Sequence, residues 1–197
     1  MTAEKTPVRA KFKAQFLPLI SPFMAKTDIR YYLNGFVIER AVRGGVYVVA
    51  TDGHTLGAVY DAEGVIEGAD QLIIRRDSGL IRACKAKSYV QQSVIVSDGR
   101  VLVAPGFDLI ASELETYVVP GKPFIEAKYP NWKRVLPDFE KLKPGMTGSL
   151  FNSEYIARFD GISKFGNMRF PSMRFWQQED RNTCLVIQVP AHPEFVG

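Results

Sequence analysis

The segment Thr51-Asp52-Gly53-His54 contains the residue types that could carry acid–base chemistry in this chain, which has only two histidines. An aspartate close to a histidine on a loop is a candidate acid–base pair, because histidine titrates near neutral pH. The alternative is an Asp-Gly turn followed by a half-exposed histidine, because Asp-Gly tolerates positive φ angles. The sequence has no GxSxG, HExxH, phosphate-loop or dinucleotide motif that would support catalysis. We therefore favour the turn and do not expect an enzyme.

The two cysteines, Cys84 and Cys184, are the remaining candidates for metal or redox chemistry. Both lie in apolar surroundings, without a CxxC motif or a neighbouring histidine. We expect two buried thiols, no metal site and no cofactor.

Composition predicts a globular chain, since 197 residues with 46% hydrophobic and 12% aromatic content can form a substantial core. No apolar run approaches the roughly 20 residues of a membrane-spanning helix, and the N-terminal residues do not resemble a signal peptide. We expect a cytoplasmic protein without a membrane partner. The net charge of +4 is compatible with a polyanionic partner but does not demonstrate one.

The Asp-Gly turn lies within a predicted three-stranded antiparallel meander. Residues 33–40, 46–51 and 56–60 are rich in β-branched and aromatic side chains. Arg43-Gly44-Gly45 joins the first two strands, and Asp52-Gly53 joins the second and third. The loop that carries His54 is therefore expected at one end of a sheet.

The same order of elements, a strand, a helix and three strands, is predicted three times. The first copy begins with a strand at 8–14 and a helix at 15–26, which Pro22 must shorten or kink. The second has a strand at 71–76, a helix at 78–87 capped by Asp77, a hairpin at 92–104 and a further strand at 107–114. The third has a strand at 148–151, a helix capped by Asn152 or Ser153, and strands at 168–177 and 183–189.

The segment 137–144 is proline-rich and charged, which is typical of a linker. Two of the three copies precede it and one follows. The sequence therefore predicts an α+β protein with one complete domain at 1–137 and half a domain at 138–197.

Three ordered segments carry a resemblance to a known family. DIRYYLNG at 28–35, VATDGHTL at 49–56 and YPNWKRVLP at 129–137 are similar to segments of the bacterial DNA polymerase III beta subunit, the sliding clamp. FNSEYIARFDGI at 151–162 and CLVIQVPAHP at 184–193 resemble the second half of that family's last domain. The family's usual first domain and half of its last have no counterpart here.

The resemblance implies the DNA clamp fold, in which βαβββ units place antiparallel sheets outside and helices on one face. It implies a non-catalytic processivity factor that encircles duplex DNA and tethers polymerase and other replication proteins. A ring of the usual kind contains twelve such units, so four copies of this chain, each supplying three, would complete one. A homotetramer is therefore the expected assembly. The alternative is a clamp-like binding module that captures replication proteins without encircling DNA.

The resemblance also implies a peptide-binding pocket. The matching positions are Leu33, Thr51, Gly53, His54, Leu56, Pro130, Arg134, Val135, Asn152, Tyr155, Val189 and Pro190. Thr55 stands where the family has an arginine, and the C-terminal strand departs from the family at Gln188, Ala191 and His192. Without the resemblance, these apolar residues would be interpreted as a seam between domains.

Basic and aromatic residues near the first two helices are the candidates for sequence-independent DNA contact: Lys26, Arg30, Tyr31, Tyr32, Arg82, Lys85 and Lys87. If the helices line a ring, these cations face phosphates. The alternatives are a solvated helix face for the cations and an ordinary edge strand for the two tyrosines.

Overall fold

The computed structural model describes residues 8–85, 91–106, 116–145, 151–163, 172–177 and 184–197. The chain divides into two compact units, Met1–Tyr129 and Pro130–Gly197. This division precedes the boundary predicted after residue 137. That the units correspond to one whole and one half clamp domain stays a prediction.

The described residues of the first unit form mainly β-strands, with two short α-helices and two 3₁₀ turns. The turns are Ser21–Phe23 and Tyr31–Leu33. The helices are α1 (Phe16–Ile20) and α2 (Ser78–Lys85). The strands are β1 (Arg9–Lys13), β2 (Gly35–Arg40), β3 (Val46–Thr51), β4 (Leu56–Asp61), β5 (Val65–Glu67), β6 (Gln71–Arg75), β7 (Gln92–Ser97), β8 (Arg100–Pro105) and β9 (Tyr117–Val118).

The strands of the first unit form two antiparallel sheets that exchange strands between the two predicted repeats. One sheet has the order β5-β1-β7-β8-β9, and the other includes β4-β3-β2-β6. The first strand of each repeat thus pairs with the later strands of the other repeat. Helix α1 packs on β3 and β4, α2 packs on β8 and β9, and the two helices contact each other. Neither repeat can complete its sheet alone, so both belong to one folding unit.

The core joins the two sheets through a pair of phenylalanines. Phe12 on β1 and Phe36 on β2 are fully buried. Their ring centroids lie 5.9 Å apart at 77°, the edge-to-face geometry that aromatic pairs prefer. Every residue of α1 is buried, so this helix is held by packing rather than by its length.

Several predicted elements of the first unit are confirmed. The meander has the expected strands, and α1 ends before a separate 3₁₀ turn that contains Pro22. Asp98 and Gly99 join β7 to β8 with φ angles of 51° and 75°, as a tight hairpin turn requires. The Asp77 carboxylate accepts a hydrogen bond from Leu80 N at 2.6 Å and so caps α2.

Other parts of the prediction differ from the structure. Leu33, Tyr31 and Tyr32 form a 3₁₀ turn and not the start or edge of a strand, because hydrogen bonds between Asp28 and Asn34 close the chain on itself there. Strand β5 was not predicted, since three residues are too few to show a period. The strand predicted at 107–114 and the helix residues beyond Lys85 lie outside the described residues.

The second unit contains 3₁₀ turns at Trp132–Val135 and Phe139–Lys141 and the helices α3 (Ser153–Ala157) and α4 (Asp160–Ser163). Its strands are β10 (Lys143–Pro144), β11 (Arg174–Gln177), β12 (Val186–Gln188) and β13 (Phe195–Val196). Strands β10, β11 and β12 form an antiparallel sheet, so the end of the predicted linker belongs to a sheet. Residues 148–150, 168–171 and 183 of the predicted strands lie outside the described residues.

The two cysteines have different environments. Cys84 is buried on α2, and this burial raises the pKa of its thiol to about 12. The expectation of a buried thiol is wrong for Cys184, which is exposed. Cys184 precedes the first residue of β12, so the packing of that strand does not enclose it.

Among the described residues, no helix has the length and apolar character needed to cross a membrane. The same part of the chain has no group of three or more His, Cys, Asp or Glu side chains suited to a metal ion.

Candidate functional site

Asp52 organises the 51–56 loop, which connects β3 to β4. One oxygen of its carboxylate, Oδ1, accepts hydrogen bonds from His54 N at 3.0 Å, from Thr55 N at 2.8 Å and from Thr55 Oγ1 at 3.1 Å. An aspartate that binds the backbone two and three residues ahead forms an Asx turn. The carboxylate thus serves as a scaffold for the loop, which favours the turn over the acid–base pair.

Thr51 anchors the first end of the same loop. Its hydroxyl donates to Thr55 O at 2.7 Å and accepts from Gly53 N at 3.0 Å. Its backbone N donates to the Tyr129 hydroxyl at 3.1 Å. Burial raises the pKa of Tyr129, which keeps this hydroxyl neutral. The loop is therefore tied to a residue far away in the sequence.

Arg30 contacts the loop from the neighbouring turn. Its guanidinium donates to both carboxylate oxygens of Asp28, at 3.0 and 2.8 Å, and to Asp52 O at 3.2 Å. It also lies against Gly53, where an added Cβ would be 2.7 Å from Arg30 Nη1. Arg30 was predicted to contact DNA, and the structure shows it engaged with Asp28 and the loop.

The turn that carries Arg30, residues 28–34, is closed by its own side chains. Asp28 N donates to Asn34 Oδ1 at 2.8 Å, and Asn34 Nδ2 donates back to Asp28 O at 2.9 Å. At the end of the turn Leu33 is buried. Near its tip, Ile29 and Tyr31 are exposed, at 98% and 55% of their surface. The turn is thus fixed at its base and presents apolar side chains to solvent.

Hydrogen bonds from Arg30 lower the pKa of Asp28 from 3.8 to about 2. Because the pKa of Asp28 is lowered on folding, the ion pair contributes its full stabilisation of the fold above pH 3.8. This stabilisation is lost as the pH falls through about 2. We expect the carboxyl carbon resonance of Asp28 to titrate with a midpoint near 2. In Arg30→Ala the midpoint should return towards 3.8. An unchanged midpoint in the variant would show that Arg30 is not the cause.

The structure brings together the candidate pocket residues that lie on the 51–56 loop. Thr51 and Gly53 share a hydrogen bond, and Thr51 pairs with Leu56 in the sheet register. His54 is exposed and Leu56 is half-buried. Tyr129, Asp28 and Asn34 support this loop and its neighbouring turn, although no sequence pattern singled them out. Tyr129 was visible as the first residue of YPNWKRVLP, although nothing in that motif assigns its hydroxyl.

The other pocket candidates lie in the second unit. Asn152 caps α3, since its Oδ1 accepts from Glu154 N at 2.9 Å, and Tyr155 follows on that helix. Val135 is 62% exposed, whereas Val189 is fully buried. Pro130, Arg134 and Pro190 are exposed. That the second-unit residues contact the same peptide as the 51–56 loop stays a prediction.

The remaining DNA-contact candidates are mostly at the surface. Arg82 and Lys85 are exposed on α2, opposite the buried Leu80 and Cys84. Lys26 is exposed, and Tyr32 is half-buried with its ring 5.9 Å from that of Tyr31. Lys87 lies outside the described residues. The structure is thus compatible with a cationic face on α2, and DNA contact stays a prediction.

Comparison with known proteins finds similarity to sliding clamps both in sequence and in fold. The chain is 34% identical over 116 residues to the Beta sliding clamp of Pseudomonas aeruginosa, covering 58% of this chain and 29% of that protein. The structure of the DNA polymerase III subunit beta from P. aeruginosa matches 100% of this chain and 67% of its own, with a TM-score of 0.66 and 16% identity. The Bartonella birtlesii sliding clamp bound to griselimycin matches 100% of this chain and 66% of its own, with a TM-score of 0.65 and 13% identity.

No family model matches the chain. The chain spans less than a third of the curated relatives it matches, at 29% for P. aeruginosa and 28% for Buchnera aphidicola. The described residues have the antiparallel sheets and the few helices of the α+β clamp fold. On this evidence, the chain is similar in sequence to beta sliding clamps over 58% of its length and has the clamp fold.

Proposed function

We propose that this protein is a non-catalytic, sliding clamp-like processivity factor of the cytoplasm. The observation that carries the proposal is its 34% identity over 116 residues to a protein named Beta sliding clamp. Local similarity at this level, together with the same fold in the described residues, favours a related role.

The DNA contact is proposed to be electrostatic and independent of sequence. Arg82 and Lys85 project from α2 into solvent, and neither forms part of the core. Lysine and arginine that neutralise phosphates give binding that weakens steeply as salt rises. A protein that relied on these contacts alone would dissociate readily, so we propose that a ring of four copies retains it on DNA by topology.

The polymerase contact is proposed to lie at the 51–56 loop. The loop has a fixed backbone, an exposed His54 and a half-buried Leu56. A few fixed polar groups beside apolar side chains suit an extended peptide, because the apolar groups supply affinity and the polar groups set orientation. The Bartonella birtlesii sliding clamp was solved bound to griselimycin, and we propose this compound as the probe for the loop.

A plasmid-retention experiment tests the proposal. We expect the protein to remain on nicked circular DNA through a gel-filtration column and to leave it when the plasmid is linearised. The double variant Arg82→Glu with Lys85→Glu should be retained less. A matched control is Lys122→Glu with Lys128→Glu, which changes the charge equally at exposed positions outside the helices. Native mass of the free protein, measured in parallel, should correspond to four chains.

Two results would contradict the proposal. Equal retention on circular and linear DNA would exclude topological binding. If the protein is a strict monomer and does not assemble on DNA, the proposed ring is excluded. Griselimycin binding without DNA retention would instead support the non-encircling binding module.

A further inference from the structure

We propose that Arg30 is a positioning residue for the 51–56 loop and not a DNA contact. This inference rests on the proposed function, because it assigns the loop a binding role. It goes further by naming a second residue outside the loop, besides Tyr129, that holds the loop in place. It also reverses the assignment of Arg30 that the sequence favoured.

The geometry supports this role in two ways. Arg30 Nη2 donates to Asp52 O, so the guanidinium binds the backbone of the residue whose carboxylate organises the loop. The same guanidinium lies beside the Cα of Gly53, where its Nη1 is 2.7 Å from the position that an added Cβ would occupy. Arg30 therefore contacts the loop from the side of Asp52 and of Gly53, the residue just before His54.

Arg30 is itself held by a rigid support. Asp28 binds the Nε and Nη2 groups through its two carboxylate oxygens, which fixes the plane of the guanidinium. Asn34 closes the turn that carries both residues. The backbone of Asn34 also accepts a hydrogen bond from Arg76 N at 2.9 Å, which ties the turn to the chain beyond β6. The loop is thus connected through Arg30 to a fixed part of the unit.

The same contacts argue against a DNA role. A guanidinium already paired with a carboxylate offers little net charge to a phosphate, and release from Asp28 would be required before it could bind one. Arg82 and Lys85, exposed on α2, are better placed to contribute salt-dependent binding.

Removing Arg30 should let the loop populate additional conformations. The apparent affinity then falls in proportion to the fraction of molecules that remain competent to bind. Because the contact is partly exposed, we expect griselimycin to bind about three- to tenfold more weakly to Arg30→Ala. Backbone amides of Gly53, His54 and Thr55 should exchange with solvent faster in the variant. Plasmid retention should be unchanged.

Two further variants separate the roles. Arg30→Lys keeps the positive charge but cannot reproduce the planar pattern of bonds, so it should lose griselimycin affinity and keep DNA retention. Arg40→Ala is the matched control, because Arg40 likewise binds a carbonyl oxygen, of Ala69, and a carboxylate, of Asp70, without contacting the loop in those bonds. It should change neither loop exchange nor griselimycin binding.

The experiment distinguishes the possible failures. Unchanged amide exchange in Arg30→Ala, with normal binding by the wild-type protein, would overturn the role of Arg30 alone. If Arg30→Ala lost plasmid retention as strongly as the Arg82 and Lys85 double variant, Arg30 would be a DNA contact. That result would also overturn the positioning role. Wild-type protein that fails to bind griselimycin would overturn the proposed binding loop, and this inference with it.

Discussion

Replacing Phe36 by alanine is expected to lower the free energy of unfolding of the first unit by about 3–5 kcal/mol. Phe36 is 1% exposed on β2, and its ring packs edge-to-face on Phe12 of the other sheet. The truncation therefore removes a large buried side chain and leaves a cavity at the place where the two sheets meet. Urea denaturation followed by circular dichroism measures the change.

Val42→Ala is the control for this prediction. Val42 lies in the turn between β2 and β3 and is fully exposed, so its truncation should alter stability by less than about 0.5 kcal/mol. A loss below about 1 kcal/mol for Phe36→Ala would show that the ring is not part of a close-packed core.

Replacing Gly53 by alanine is expected to weaken griselimycin binding by about 5- to 30-fold. Gly53 has a φ of 87°, a conformation that costs an L-residue about 1–2 kcal/mol. The new Cβ would also meet the guanidinium of Arg30, which Asp28 holds in place. Either the backbone conformation of the loop must then change, or Arg30 must move, or both. Isothermal titration calorimetry measures the affinity, and amide exchange reports the loop.

Gly99→Ala is a matched control, because Gly99 has a similar φ of 75° in the hairpin between β7 and β8. No atom lies within 4 Å of its would-be Cβ. This variant should show the backbone strain as a loss of stability while griselimycin affinity stays unchanged. Equal loss of affinity in both variants would mean that global destabilisation, and not the loop, explains the Gly53 result.

The elements that the sequence predicted well are those whose causes are local. The meander from β2 to β4 follows from runs of β-branched residues separated by Gly-rich turns. The caps at Asp77 and Asn152 follow from a short polar side chain placed just before a helix. Such signals lie within a few residues of each other, so they can be recognised without knowing the fold.

The candidate site was predicted only in part. The loop residues Thr51, Gly53, His54 and Leu56 were identified through a family resemblance, and the structure shows the hydrogen bonds that organise them. Arg30 was assigned by charge alone, which does not reveal that Asp28 and the loop already occupy it. Cys184 was assigned by its apolar neighbours, but the neighbours in sequence do not enclose it.

The sequence by itself determined the strands of the meander, its tight turns, the helix caps and the similarity to sliding clamps, because each depends on residue types at short spacing. Only the tertiary structure decided that β1 pairs with β7 and β6 with β2, across the two repeats. It also decided that Tyr129 and Arg30 hold the 51–56 loop. The hydroxyl of Tyr129 meets Thr51, 78 residues away, and such a contact depends on how sheets fold together. Long-range pairing of this kind leaves no local pattern, since its partners are selected by the packing of the whole unit.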